Sequence, residues 1–346
     1  MKGSVVALGE VNGRRAAAWM VDGKMQDFLI DPVVDAPAPG SVYRAICDRP
    51  MKGQGGMMLR LSSGLTGYLR GAKGLAPGQA ILVMVTGFAD DGKAVPVTQR
   101  VLFKSKYAIV TPEAPGTNIS RAIRDEERRV VLQEIAAAEM EDAPETTGLI
   151  VRSVAAGGNA DDIAEDIAAM RALSEAVMAD VEGVAELLVE GADAHELAWR
   201  EWGIPDQLAD GEGAFDDHGV HEAIEDLIAA RVTLEGGAFA FIEPTRALVA
   251  VDVNTGADTS FAAGLKANVA LARDLPRLLR LRGLGGMITV DLAPMAKKDR
   301  RQFEQVLKAA FKRDGTDTVL AGFTPLGCFE LQRKRDRLPV ARSLAE

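Results

Sequence analysis

The sequence predicts a mixed α/β protein of several subdomains, in which a small β-barrel precedes an α/β layered part. Three observations point there. Short apolar stretches alternate with glycine turns over residues 41–103, the spacing of a small barrel of OB type. From 216 onward, amphipathic helices alternate with β-branched strands, the pattern of helices layered on a sheet. Two of those strands, 247–253 and 285–292, each deliver one aspartate, Asp252 and Asp291.

A chain of 346 residues can build two or three subdomains with their own cores. Its apolar share of 47% excludes disorder as the ground state. No apolar run reaches the length of a membrane span, and the start lacks a long apolar core before a small-residue cleavage site. A cytoplasmic protein with no membrane partner is therefore expected. The two cysteines, Cys47 and Cys328, lie far apart and form no Cys-x-x-Cys pair, which fits a reducing compartment without a cysteine-rich zinc site. The net charge of −10 is unevenly spread. From Asp216 onward, 19 Lys and Arg face 18 Asp and Glu, so the acidity belongs to the first 215 residues. The C-terminal part carries basic clusters: Arg273, Arg277, Arg280 and Arg282; Lys297, Lys298, Arg300 and Arg301; Arg333, Lys334, Arg335 and Arg337. Such clusters either track a phosphate backbone or form solvated helix faces.

In chain order, residues 1–39 read as short strands joined at Asn12-Gly13 and Asp22-Gly23, both strong hairpin signals. The proline-rich stretch 32–40 is a break. Barrel strands are expected at 42–47, 57–61, 67–69, 80–85 and 95–103. Residues 104–175 read as two helices around a strand: a helix capped by Ser120 and running to 141, a strand over 148–153, and a helix over 160–178. Residues 176–215 form a connecting segment. Beyond it come a helix over 220–230, a hairpin of strands 238–242 and 247–253, a helix over 265–282 that Pro276 kinks or divides, the second aspartate strand, a helix over 298–313 and a strand over 318–320.

Taken singly, each aspartate is a helix or turn cap. Taken together, with Asn254 on the same strand face as Asp252 by the period of two, they suit a hard, oxygen-seeking cation such as magnesium. Neither a nucleophile elbow nor a Cys/His pair accompanies them. His195, His218 and His221 lie apart from these strands, which argues against a two-histidine mechanism.

The stretches "GAFAFIEPTRALVAVDVN", "VDVNTG" and "LRLRGLGGMITVDLAPM" resemble the catalytic core of the ribonuclease E/G family, most closely over 224–337. The resemblance implies a magnesium-dependent endoribonuclease of single-stranded RNA that leaves 5′-phosphate and 3′-hydroxyl ends. Asp252, Asn254 and Asp291 would be catalytic, with Asp252 and Asp291 holding the metal. The alternatives are an RNA-binding protein on the same fold with little or no cleavage, and a hydrolase of another phosphodiester. The resemblance further divides the chain into an RNase H-like opening (1–39), an OB-type RNA-binding barrel (40–103), a 5′-sensor-like region (104–175), a shortened RNase H-like or connecting segment (176–215) and a DNase I-like catalytic subdomain (216–346). Tyr68 and Lys93 match an RNA-gripping aromatic and lysine of the barrel; a second aromatic position falls at or near Leu59. Arg152 and Ser153 match the positions that meet an RNA 5′-phosphate, and the second arginine's place falls near Asp317. The "CFELQRKRDR" segment matches the one that precedes the family's zinc motif, and the sequence stops soon after, so neither zinc nor a zinc-linked dimer is expected.

Overall fold

The structure is a computed structural model that describes residues 2–32, 37–51, 53, 55–62, 64–89 and 92–345. Residues 33–36, in the middle of the proline-rich break, lie outside the described residues. The chain groups into two compact units, Met1–Val34 with Pro205–Glu346, and Asp35–Ile204.

The first unit opens with β1 (Ser4–Val11), β2 (Arg14–Val21) and β3 (Lys24–Ile30), paired antiparallel. Both turns have two residues at positive φ, Asn12 at 53° and Gly13 at 72°, Asp22 at 49° and Gly23 at 74°. That is the type I′ geometry whose twist matches the flanking strands.

In the second unit, β4 (Val42–Met51), β5 (Gly56–Ser62), β6 (Leu65–Arg70), β7 (Ala80–Val85) and β8 (Val95–Thr98) join in the order β4-β5-β6-β8-β7. A further β4–β7 pairing closes the ring into a five-stranded barrel, in keeping with the OB type. Its interior holds Tyr43, Leu59, Leu61, Leu69, Val83 and Val97. The expected last strand is shorter than predicted. It stops at Thr98, and β9 (Phe103–Lys104) joins a second sheet with β10 (Ala108–Thr111), β11 (Gly116–Ile119) and β12 (Gly148–Val151). Helices α1 (Glu126–Glu139) and α2 (Ala160–Ala179) cover that sheet through Leu132, Ile163 and Ile167.

Two boundaries here differ from expectation. The helix predicted from Ser120 begins at Glu126, because residues 116–119 are drawn into parallel pairing with β12. Asp125 supplies the cap, accepting from the Arg128 N–H at 3.1 Å. The strand predicted to reach Ser153 ends at Val151, and Ser153–Gly157 turns into a short 3₁₀ helix. The unit closes with β13 (Glu186–Val189), paired to β4, and α3 (Ala194–Glu201), whose Asp193 and Glu196 form a capping box.

Back in the first unit, β14 (Gln207–Ala209) lies parallel to β1. Helices α4 (Ala214–Asp217) and α5 (Val220–Ile228) share a core with Phe28 through Phe215, Val220 and Ile224. A six-stranded sheet follows from β15 (Arg231–Thr233), β16 (Phe239–Pro244), β17 (Leu248–Asn254), β18 (Gly286–Asp291), β19 (Thr318–Phe323) and β20 (Phe329–Arg333), in the order β15-β16-β17-β18-β20-β19. One face is covered by α6 (Phe261–Leu281) and α7 (Arg300–Arg313); Leu271, Leu275, Phe303 and Leu307 pack on Val249, Val251, Ile288 and Val290. Pro276 does not divide α6, which also starts earlier than predicted because Ser260 caps it, accepting from the Ala263 N–H at 3.2 Å. A last helix, α8 (Val340–Ala345), contributes Val340 to the β1–β3 core.

Much of the basic character of this unit is structural. The Asp314 side chain, 1% exposed, is paired by Arg280 and by Arg333, the latter at 2.6 Å. Arg337 reaches Asp27 at 3.0 Å, Arg277 grips Asp274 with both arms of its fork, and Arg282 donates to the Ala229 carbonyl at 2.8 Å. Among the described residues no helix is long and apolar enough to cross a membrane.

Candidate active site

Strands β17 and β18 are parallel neighbours joined by α6, a β–α–β unit that requires a crossover rather than a hairpin. Their register pairs Asp252 directly with Asp291, each at the C-terminal end of its strand. In open α/β sheets that end is where ligands bind. The aspartates are not buried, as a wholly buried strand would require. Val249, Val251 and Val253 take the helix side, so the period of two turns Asp252 and Asn254 to the opposite face. Both carboxylates are exposed there. Asn254 donates from Nδ2 to Asp252 Oδ2 at 2.9 Å.

The loop after β17 prepares α6. Asp258 accepts from the Ser260 N–H at 2.9 Å. That backbone hydrogen bond, with the Ser260 hydroxyl, holds the Asp258 carboxyl below its usual value. On the other side of the crossover, α6 grips the chain that leaves Asp291. The buried Asn268 donates from Nδ2 to the Ala293 carbonyl at 2.8 Å and accepts from the Ala293 N–H at 3.0 Å. One helical turn earlier, Gly264 lets the backbone close in; a Cβ there would lie 1.9 Å from the Pro294 carbonyl oxygen.

The same face carries groups that sequence reasoning missed. Phe241 is the register partner of Asp252, and Arg231 is that of Phe241. One row across four strands thus reads Arg231, Phe241, Asp252, Asp291. Phe239 meets Phe241 edge to face, with ring centroids 5.8 Å apart, and the Arg231 guanidinium lies over the Phe239 ring at 4.4 Å. The signal was present in the alternation of Phe239 and Phe241 with Ala240 and Ile242, which puts both rings on the carboxylate face.

Tyr68, Lys93, Arg152 and Ser153 belong to the other unit. Tyr68, half-buried on β6, pairs across strands with Met58 and Pro96. Its ring lies against the bare backbone of Gly56, where a Cβ would come within 2.5 Å of Cε2. Leu59 points into the barrel, fully buried, so the outward neighbour of Tyr68 is Met58. Lys93 is exposed in the segment leading into β8. The Arg152 guanidinium donates to the carbonyls of Ser105 at 2.6 Å, Lys106 at 3.1 Å and Arg200 at 3.0 Å, and pairs with Glu201 at 2.8 Å. Ser153 is exposed beside it. Burial works against the charge of Glu201, yet the Lys104 hydrogen bond and the charges of Lys104, Arg152 and Arg200 hold its carboxyl below the usual value. Burial lowers the Lys104 ammonium in turn.

The ribonuclease E/G family matches residues 103–203 and 204–336, well over half of the sequence. The chain belongs to this family. Ribonuclease G of Salmonella typhimurium is 29% identical over 309 residues, covering 77% of this chain and 62% of that protein. Ribonuclease G of Escherichia coli K12 is 28% identical, with the same coverage. Ribonuclease E of a Nostoc species is 28% identical over 302 residues, covering 75% of this chain and 44% of that protein. The chain therefore spans less than two thirds of the length of these ribonuclease E/G relatives. The aspartate strands, α6 and the turn between them all lie inside the matched region.

The donor set of the site is two carboxylates and one side-chain amide. Among the described residues, no group of three or more His, Cys, Asp or Glu side chains is placed to hold a metal ion. An open pair of carboxylates suits magnesium, which keeps several of its waters and takes one or two protein carboxylates.

Proposed function

We propose that this chain is a metal-dependent endoribonuclease that cuts single-stranded RNA, with Asp252, Asn254 and Asp291 at its centre. The observation that carries this reading is the registered carboxylate pair at the ends of two parallel strands, within a family whose members are named as ribonucleases. Asp252 and Asp291 would hold magnesium. When bound, the ion supplies charge relief at the phosphate and an acidified water, and the products carry 5′-phosphate and 3′-hydroxyl ends. Asn254 fixes the orientation of Asp252 and prevents its carboxylate from swinging away.

The six-stranded sheet with α6 and α7 is read as the DNase I-like subdomain, lying within 216–346. The barrel within 40–103 takes the RNA strand, with Tyr68 as stacking surface and Lys93 as phosphate partner. Strands β1–β3, within 1–39, and the segment 176–215 are read as the reduced RNase H-like part, and 104–175 as the 5′-sensor-like region. The experiment is incubation with a 5′-fluorescent single-stranded oligonucleotide, with and without magnesium. Magnesium-dependent fragments ending in 3′-hydroxyl are expected. Binding without cutting at any magnesium concentration would instead support an RNA-binding protein.

A further inference from the structure

The geometry points to a nucleobase seat beside the carboxylates, built from Phe241, Phe239 and Arg231. This inference rests on the reading of Asp252 and Asp291 as the cutting site and adds a substrate subsite to it.

The argument begins with the sheet. Ala240 and Ile242 are buried against the helices, so Phe239 and Phe241 face the other way. Neither ring belongs to the core that holds the sheet to α6 and α7. Two half-buried phenylalanines outside that core lie on the face of an exposed carboxylate pair, Phe241 in its row and Phe239 opposite Asn254. Their arrangement fits a ligand that is flat and apolar at one point and anionic at another. The rings supply the first contact, since an aromatic surface accepts any base by stacking. Arg231, lying over Phe239, brings a cation to one end of the row that the two carboxylates close at the other. A phosphate is what such a cation and a carboxylate-held metal can share.

The spacing names the nucleotide. Phe241 and Asp252 sit on adjacent strands in direct register, one strand spacing apart, about 4.8 Å. The seat therefore takes the base next to the phosphate being cut, not one further along the strand. The base must be unpaired, because stacking on a side chain needs its free face.

The experiment uses the full chain and oligonucleotides carrying one 2-aminopurine at each position flanking the bond that the wild type cuts. In the Asp252→Asn background, fluorescence should be quenched on binding at one position adjacent to that bond. The quench should disappear with Phe241→Leu and return with Phe241→Tyr, which keeps the ring. In the cutting chain, Phe241→Leu should lower kcat/KM about tenfold, the order that base–aromatic stacking contributes. An abasic nucleotide at the same position should lower it similarly, and the two losses should not add. Equal quenching with and without the Phe241 ring, or a wild-type kcat/KM in a folded Phe241→Leu protein, overturns the seat. The carboxylate reading is judged separately, by whether Asp252→Asn still cuts.

Discussion

Asn254 and Asp252 lie two residues apart on β17, and the amide of the first donates to the carboxylate of the second at 2.9 Å. The side chains project from one strand face, so the contact follows from the strand itself and needs no loop to hold it. It engages Asp252 Oδ2 and leaves Oδ1 for other partners.

Asp252→Asn and Asp291→Asn should each abolish magnesium-dependent cutting while leaving thermal stability nearly unchanged, because both side chains are exposed. Asn254→Ala should lower kcat about tenfold, the scale of a hydrogen bond to a charged group. A gel assay with the fluorescent oligonucleotide reads all three, and wild-type cutting by either aspartate variant would sink the assignment.

Tyr68→Ala should weaken RNA binding by about 1–3 kcal/mol at fixed salt. Gly56→Ala should do much the same without removing the ring, because the added methyl takes its place. Affinity should fall steeply as salt rises, since basic residues must supply the phosphate contacts of a net acidic chain. Fluorescence anisotropy gives the dissociation constants; an unchanged value for Tyr68→Ala would make the ring a packing residue only.

Little preference for 5′-monophosphorylated over 5′-hydroxyl RNA is expected, well under tenfold, since tenfold needs about 1.4 kcal/mol of net discrimination. Arg152 already spends its fork on three carbonyls and Glu201. A phosphate there would have to displace that carboxylate. Two oligonucleotides differing only at the 5′ group, cut side by side, decide the matter; a larger preference that Arg152→Ala removes would count against this expectation.

Glu201→Gln should lower the melting temperature at neutral pH, with the deficit shrinking in acid. The folded carboxyl sits below its usual value of 4.5, so its stabilisation is complete above that value and is lost as pH falls through the lower folded one. Melting curves of both proteins at pH 7 and pH 3 test the sign. A deficit that grew in acid would mean that the cations do not hold this carboxylate.

Asp314→Ala should destabilise the protein by about 3–5 kcal/mol, because it leaves Arg333, almost wholly buried, as an uncompensated charge and removes one of the two carboxylates that Arg280 pairs with. Urea denaturation measures it, and a loss below about 1 kcal/mol would show that solvent reaches the pair.

What could be read from the sequence was local. Asn12-Gly13 and Asp22-Gly23 announce their hairpins because few residue pairs adopt two positive φ values in succession. Asp252 and Asn254 announce a shared face through the period of two. What stayed hidden depended on distant partners. Residues 116–119 become a strand only because β12 lies alongside, so Asp125 rather than Ser120 caps the helix. Arg280, Arg333 and Arg337 look like a nucleic-acid surface until Asp314 and Asp27 are found against them. Leu59 faces the barrel interior and Met58 stands beside Tyr68, a distinction the sequence hides because a shift of one residue exchanges the inside and outside of a barrel. The parallel register that sets Asp252 against Asp291 also lies beyond any local signal.

The grip of Asn268 and Gly264 on residues 293 and 294 makes α6 a ruler for the second carboxylate. Side chains along the inner surface of that helix set where β18 ends, and so where Asp291 stands relative to Asp252. Evolution can therefore retune the spacing of the two acids without touching either. A screen for lost cutting should recover changes in the middle of α6 whose only defect is that the two acids no longer stand level.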